Sequence, residues 1–247
     1  MAYSSYRLRR LHRFLGVSVG IQLLMWTISG LYFSWVDLDV VHGDPQKKAP
    51  APLLAHSSDS LCSPSLVLLS LQRDMGTVEV KDLRLINILQ KNYWQVTFVS
   101  DADAEKQHRL ADAKTGAFRP ALSEAEAIEL AKNAFNGEGT VVKTEYLTQT
   151  GAHHEFRENP LPAYAVYFEH PTNTTIYVSA ELGTVQKYRN TAWRIFDFLW
   201  MFHTMDYRSR DDINNWVLRI FSILGLLTVG SGFVLFGLTV RRKPAVV

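Results

Sequence analysis

Residues 11–36 read LHRFLGVSVGIQLLMWTISGLYFSWV, and after Arg13 no charged side chain occurs until Asp37. That is about 23 residues, ~35 Å as a helix, enough to cross a hydrocarbon core. Residues 217–240 form a matching apolar run near the other end. The 247-residue chain has a net charge of +2 and a mean hydropathy of -0.05. Those bulk values resemble a soluble protein only because two apolar spans are averaged with a polar middle. The first span has a basic front of Arg7, Arg9, Arg10 and Arg13. Its apolar run is too long for the core of a signal peptide, and no small-x-small cleavage site follows it. An uncleaved anchor is therefore expected.

The basic cluster RLRRLHR precedes the first span, and Arg241, Arg242 and Lys243 follow the second. Both read as cytoplasmic by the positive-inside rule. Both termini then lie inside and the middle lies outside, which in a bacterium is the periplasm. Trp35 and Trp216 mark the outer interface, and Arg219, about a turn inside, can snorkel to it. Gly16-x-x-x-Gly20 and the glycines of the second span predict close helix packing, within the chain, with a second copy or with another membrane protein. One cysteine, Cys62, excludes an internal disulfide framework. No basic face interleaved with aromatics points to nucleic acid.

Between the spans, the proline-bearing stretch 37–62 is expected to be irregular. SPSLVLLSLQRDMG is compatible with a helix or an apolar strand. VEVKDLRLINI, YWQVTFVS and HRLADAKTGAFRP read as strands with a turn at Lys114-Thr115-Gly116. SEAEAIELAKNAFNG is the clearest helix outside the membrane. Ser123 and Glu126 form a capping box, Leu122, Ala127, Leu130, Ala131 and Ala134 an apolar stripe, and Gly137 can end it. VVKTEYL, PAYAVYFEH, TTIYVSAE and LGTVQKYR follow as strands. The order of helix, strand, YWQVTFVS and HRLADAKTGAF is echoed by helix, strand, YAVYFEH and TIYVSAELGTV. Two copies of a small α+β unit are expected, each an antiparallel sheet packed by one helix. Residues 191–215 contain the aromatic run Trp193 to Phe202, interrupted by Arg194 and Asp197. They read as an amphipathic helix at the outer membrane surface, not a third crossing.

These motifs together resemble the PepSY-associated transmembrane proteins of bacterial inner membranes. The carriers are the opening LHRFLG and WTISGLYF, the pair YWQVTF and ADAKTG, the pair YAVYF and YVSAELGTV, and LWMFHTMDY before a glycine-rich span. The resemblance implies a membrane protein with two transmembrane helices flanking an α+β periplasmic domain made of two PepSY-like repeats. The expected order is a basic tail at 1–13, a span at 14–36, a linker at 37–62 and the PepSY-like region at 63–190, with repeats at about 63–120 and 121–190. An interfacial segment at 191–215, a span at 217–240 and a tail at 241–247 complete it. Larger relatives have more membrane helices and include proteins linked to iron–siderophore uptake and reduction, in which histidines near the membrane are associated with haem.

On that resemblance His12 and His203 are candidate ligands of haem b, and His42, on the same side as His203, is a candidate partner for it. Imidazole is a common axial haem ligand. A helix that crosses hydrocarbon separates its ends by about 30 Å, so one iron cannot take both His12 and His203. His153-His154-Glu155 is a weak metal candidate, because adjacent side chains do not face together in a helix or strand. HExxH, GxSxG and Walker patterns are absent from the sequence. Two functions follow as expectations. One is a haem-associated redox accessory in iron or siderophore handling, with a ferric-siderophore complex as a partner. The other is a non-enzymatic, membrane-anchored binding or inhibitory module acting on an envelope protein.

Overall fold

The computed structural model describes residues 2–49, 61–100 and 103–240. The basic cluster at 241–243 and residues 50–60 of the proline-bearing stretch lie outside the described residues. The chain divides into two compact units, one formed by the residues up to Val41 with those from Ala192 onward, the other by His42–Thr191.

The first unit is helical. Helix α1 spans Ala2–Trp35, so the arginine-rich segment read as a tail is part of the same helix. Arg, Leu and Tyr tolerate helical backbone, and neither a proline nor a competing cap interrupts the segment. Helix α6, Trp216–Val240, is predominantly apolar, with Arg219 its one charged residue. Its Leu226, Phe233 and Phe236 are each at least 70 % exposed. Apolar side chains in such a continuous exposed sleeve need a lipid environment. The two helices are antiparallel, with Val19 against Gly225 and His12 against Ser231 and Gly232. At the same rise, this register brings Trp216 level with about residue 28 of α1. The last turns of α1 therefore extend beyond the start of α6. Gly16 and Gly20 have open space where a Cβ would stand, and the α1–α6 contact uses His12 and Val19 instead.

The second unit begins with order where irregular chain was expected. Helix α2 spans Leu38–His42, straddling the boundary between the units, and a single 3₁₀ turn covers Asp44–Gln46. Pro45 fits the start of that turn because its missing N–H would have no helical partner there. Lys47 then pairs with Phe135, and the Lys48 N–H donates to the Ala134 carbonyl.

Helix α3, Pro64–Met75, settles the ambiguous apolar run. Ser63 caps it and Pro64 occupies its first turn. Strands β1 (Val78–Ile88), β2 (Lys91–Ser100), β3 (Asp103–Asp112) and β4 (Phe118–Arg119) form an antiparallel meander. Helix α4, Glu124–Ala134, carries the capping box in full. It stops at Phe135, which adopts extended backbone and is buried; the expected stop at Gly137 is two residues too late. Strands β5 (Thr140–Leu147), β6 (Ala163–Glu169), β7 (Thr175–Ser179) and β8 (Val185–Arg189) form a second antiparallel meander.

Alternation along the central strands assigns each face. On β2, Val96 and Phe98 meet α3 through Val67 and Leu71. The opposite face joins a core shared by both sheets, in which Ile88, Tyr93 and Leu110 pack with Ala127 and Ala131 of α4 and with Val166, Phe168, Ile176 and Val178. The other face of the second sheet, Ala163, Ala165 and Tyr177, is covered by Phe156 from the loop after β5. Gly183 lies at the junction of the sheets. It has φ +66, and a Cβ there would stand 2.4 Å from Ile88 Cδ1 and 2.9 Å from Leu110 Cδ1. A side chain at that turn would collide with the first sheet's contribution to the core.

Candidate functional site

Helix α5, Thr191–Thr204, belongs with the membrane helices. The expectation was an amphipathic helix lying at the membrane surface; the helix is docked against the C-terminal half of α1. The Tyr32 hydroxyl donates to the Ala192 carbonyl at 3.0 Å, and Phe33 packs against Phe196, Trp200 and His203. The last carbonyls of a helix lack partners within it, and here side chains supply them. Gln22 Nε2 donates to the Phe202 carbonyl at 2.8 Å, Trp26 Nε1 to the His203 carbonyl at 2.9 Å, and Asn215 Nδ2 to the Thr204 carbonyl at 2.9 Å. An amide inside an apolar span is costly unless it finds such a partner. Gln22 is thereby explained as a docking residue.

The turn from α5 into α6 is closed by two acids. The buried Asp197 carboxylate accepts from Arg210 Nη1. Asp206 accepts backbone N–H bonds from Arg208, Ser209, Asp211 and Asp212 and the Ser209 hydroxyl bond. Burial raises the pKa of Asp206, but the Ser209 hydroxyl and the backbone donors outweigh it and hold the carboxyl well below its ordinary range. The guanidinium of Arg219 stacks over Trp216 at 5.1 Å, as a cation near the end of a span can.

This scaffold positions His203. Its Nδ1 lies 2.9 Å from the Ser29 hydroxyl, and that hydroxyl donates its single proton to the Trp26 carbonyl at 3.0 Å. With the serine proton on that carbonyl, the serine oxygen accepts from Nδ1–H and Nε2 carries the lone pair. His12 repeats the arrangement. Its Nδ1 lies 2.7 Å from the Ser231 hydroxyl, which donates to the Thr228 carbonyl at 2.8 Å. Both histidines are thus held at Nδ1 by a serine on a neighbouring helix, which leaves Nε2 as the candidate ligand atom. Fixing the second nitrogen in this way is how protein sites orient metal-binding imidazoles. Burial also pushes the His203 pKa down, which favours the neutral imidazole.

The two are far apart. Ser29 and His12 are separated by 17 residues of one continuous helix, roughly 25 Å of rise. One iron cannot join them. His12 is also not at a helix end: α1 runs ten residues before it, and its ring lies over Gly232, where a Cβ would meet Cε1 at 3.3 Å. His42 belongs to the other unit, at the end of α2, and is exposed. Among the described residues no group of three or more His, Cys, Asp or Glu side chains is arranged to hold a metal ion. His154 Nδ1 accepts the Phe156 N–H, and Glu155 accepts from the Tyr177 hydroxyl; both serve the loop that covers the second sheet.

Ser29, Ser231, Gln22 and Trp26 were not singled out from the sequence. The available signal was the stripe His12, Leu15, Val19, Gln22, Trp26, Ser29, Phe33, spaced by three or four residues along α1, which mixes polar side chains into an apolar face.

No curated protein and no solved structure matches the chain. A family model described as the PepSY-associated TM region matches residues 3–238. With two membrane-type helices carrying a mixed α/β domain, and a match over nearly the whole length, the chain belongs to the PepSY-associated transmembrane family.

Proposed function

We propose that this protein is a haem-associated redox accessory of a bacterial inner membrane, acting in iron or siderophore handling. Its termini lie in the cytoplasm and its α/β unit, two PepSY-like repeats, lies in the periplasm. The observation that carries the reading is the repeated histidine–serine pair, which holds Nδ1 of both His12 and His203 and leaves Nε2 as the candidate ligand atom within the helical unit. The donor chemistry fits haem, for which imidazole is a common axial ligand, and haem iron would supply one-electron transfer. The chain's own residues do the rest. Ser29 fixes the His203 tautomer, Gln22 and Trp26 hold the end of α5 in place, and Phe33 and Trp200 flank the imidazole and limit water around it. The positive-inside rule, applied to the arginines before the first span, supports the orientation.

The test is an absorption spectrum of the full chain purified in mild detergent after growth with ample haem. A Soret band is expected, partly lost in His203→Ala and partly in His12→Ala because the two sites are separate. Ser29→Ala should retain haem but alter the spectrum, since it frees the tautomer and keeps the imidazole. A colourless protein would overturn the reading. A stable envelope protein co-purifying with it would then favour the anchored binding module.

A further inference from the structure

The α/β unit contains a cavity of ≈ 940 Å³ that the redox reading does not use. Its walls come from the segment after the 3₁₀ turn, the β1–β2 hairpin, the end of α4 and strand β8. Four cationic side chains line it, Lys47, Lys48, Lys187 and Arg189, with His42 at one side, and no acidic residue lines it among the described residues. Lys47 pairs with Asp44, which is not among the lining residues, and stands 5.6 Å from the centre of the Tyr188 ring. Arg189 Nε donates to the Glu155 backbone carbonyl, a contact that orients the guanidinium. Tyr188 adds no negative charge, since burial pushes its phenol up to about 12 and its hydroxyl donates to the Ala134 carbonyl at 3.0 Å.

The cation cluster is held together by the fold. The Lys47–Phe135 bridge, the Lys48 N–H bond to Ala134 and the Tyr188 hydroxyl bond to the same carbonyl fasten both cationic segments to the end of α4. Burial, and then the charges of Arg189 and Lys47, push the Lys187 ammonium down. Like charges gathered in a partly desolvated concavity favour a counter-anion. The remaining lining includes Ile86, Leu89, Leu130 and Val185, an apolar surface that free phosphate or chloride would leave uncovered. The volume falls in the range of small-molecule sites, about 300–1,000 Å³.

We infer that this cavity binds a small organic polyanion with an apolar or aromatic body, its negative oxygens directed to Lys48, Lys187 and Arg189 and its body against the apolar wall. Two sources share that chemistry, an anionic ferric chelate and an iron-free aromatic polycarboxylate. Using a ferric complex as one probe rests on the iron reading above; the anion site does not.

The experiment is titration calorimetry on the full chain in uncharged detergent with three probes. These are anionic ferric tris-catecholate, benzene-1,3,5-tricarboxylate and uncharged ferric tris-acetohydroxamate. At least one anion is expected to bind, and the uncharged complex at least tenfold more weakly. Lys48→Glu/Lys187→Glu should lower anion affinity at least tenfold, and the milder Lys48→Gln several-fold. Raising the salt from about 50 to about 500 mM should weaken binding, as screening shortens the reach of the cations. Binding of the ferric anion alone supports the site and ties it to iron; binding of the tricarboxylate supports the site as a general polyanion receptor. If neither anion binds, or the uncharged complex binds as tightly, or the double variant with an unchanged unfolding midpoint keeps its affinity within twofold, the inference is overturned. None of these outcomes depends on whether the purified protein shows a Soret band.

Discussion

Gly183→Ala is the sharpest test of how the two sheets are joined. At φ +66 an alanine accepts left-handed backbone, which costs about 1–2 kcal/mol. Its Cβ would also stand 2.4 Å from Ile88 Cδ1 and 2.9 Å from Leu110 Cδ1. Both neighbours are buried in the shared core, so neither can swing into solvent, and overpacking of that kind costs about 1–3 kcal/mol. The sum is about 2–5 kcal/mol. Cys62 is the chain's one cysteine and packs at the edge of the α3 core, so its alkylation in urea reports opening of the α/β unit while the micelle holds the membrane helices. With a urea slope of about 2 kcal/mol per molar, the labelling midpoint should fall by about 1–2.5 M. Gly151→Ala is the control, because its Cβ meets nothing within 4 Å and its effect should stay within about 0.5 kcal/mol. A Gly183→Ala midpoint within about 0.3 M of the parent protein would refute the packing of this turn against the first sheet.

Two further outcomes are expected. In the capping box, burial raises the Glu126 pKa, but the Ser123 backbone and hydroxyl and Arg119 outweigh it and hold the carboxyl below its ordinary value. Its contribution is present above the unfolded value near 4.5 and is lost as pH falls through the lower folded value. The α/β unit of Glu126→Gln should therefore lose less stability than the parent between pH 6 and pH 3, read by circular dichroism in urea. In the helical unit, Arg210→Ala takes the guanidinium from the buried Asp197 carboxylate and should destabilise α5 docking by about 3–5 kcal/mol. Hydrogen exchange of the α5 amides would show it, and Asp197→Leu/Arg210→Leu should recover most of the loss.

What could be read from the sequence was local. The spans show as runs without charge, α4 as a Ser–Glu capping box three residues apart, and the hairpins as β-branched and aromatic runs between turn residues. The misread features depend on partners distant in sequence. Residues 44–46 form a 3₁₀ turn although their proline suggested irregular chain, because Gln46 and Lys48 bond to Asn136 and Ala134. Helix α4 stops at Phe135 because that ring is needed in the core, where it packs on Phe168 at 4.5 Å between centroids. The site was half legible. His12 and His203 were noticed by resemblance, whereas the serines bonded to their Nδ1 atoms lie 219 and 174 residues away. The basic cavity combines residues 47–48 with 187–189, which no window of sequence contains together.

On the proposed redox reading, the two histidine–serine pairs constrain any electron path through this chain. They share one helix, so the roughly 25 Å between them is fixed by α1 itself and cannot close by motion of α5 or α6. The pairs also depend on different neighbours. His12 is oriented by Ser231 of α6, and His203 by Ser29 of α1 with α5 held in place by Gln22 and Trp26. A perturbation of the α1–α6 contact therefore alters the His12 site and spares the His203 tautomer. Ser231→Ala and Ser29→Ala should change separate spectral components of the loaded protein, additively, as sites without shared partners do. A single component altered by both variants would mean that the histidines serve one site, which the continuous helix between them forbids; that result would refute the arrangement of α1.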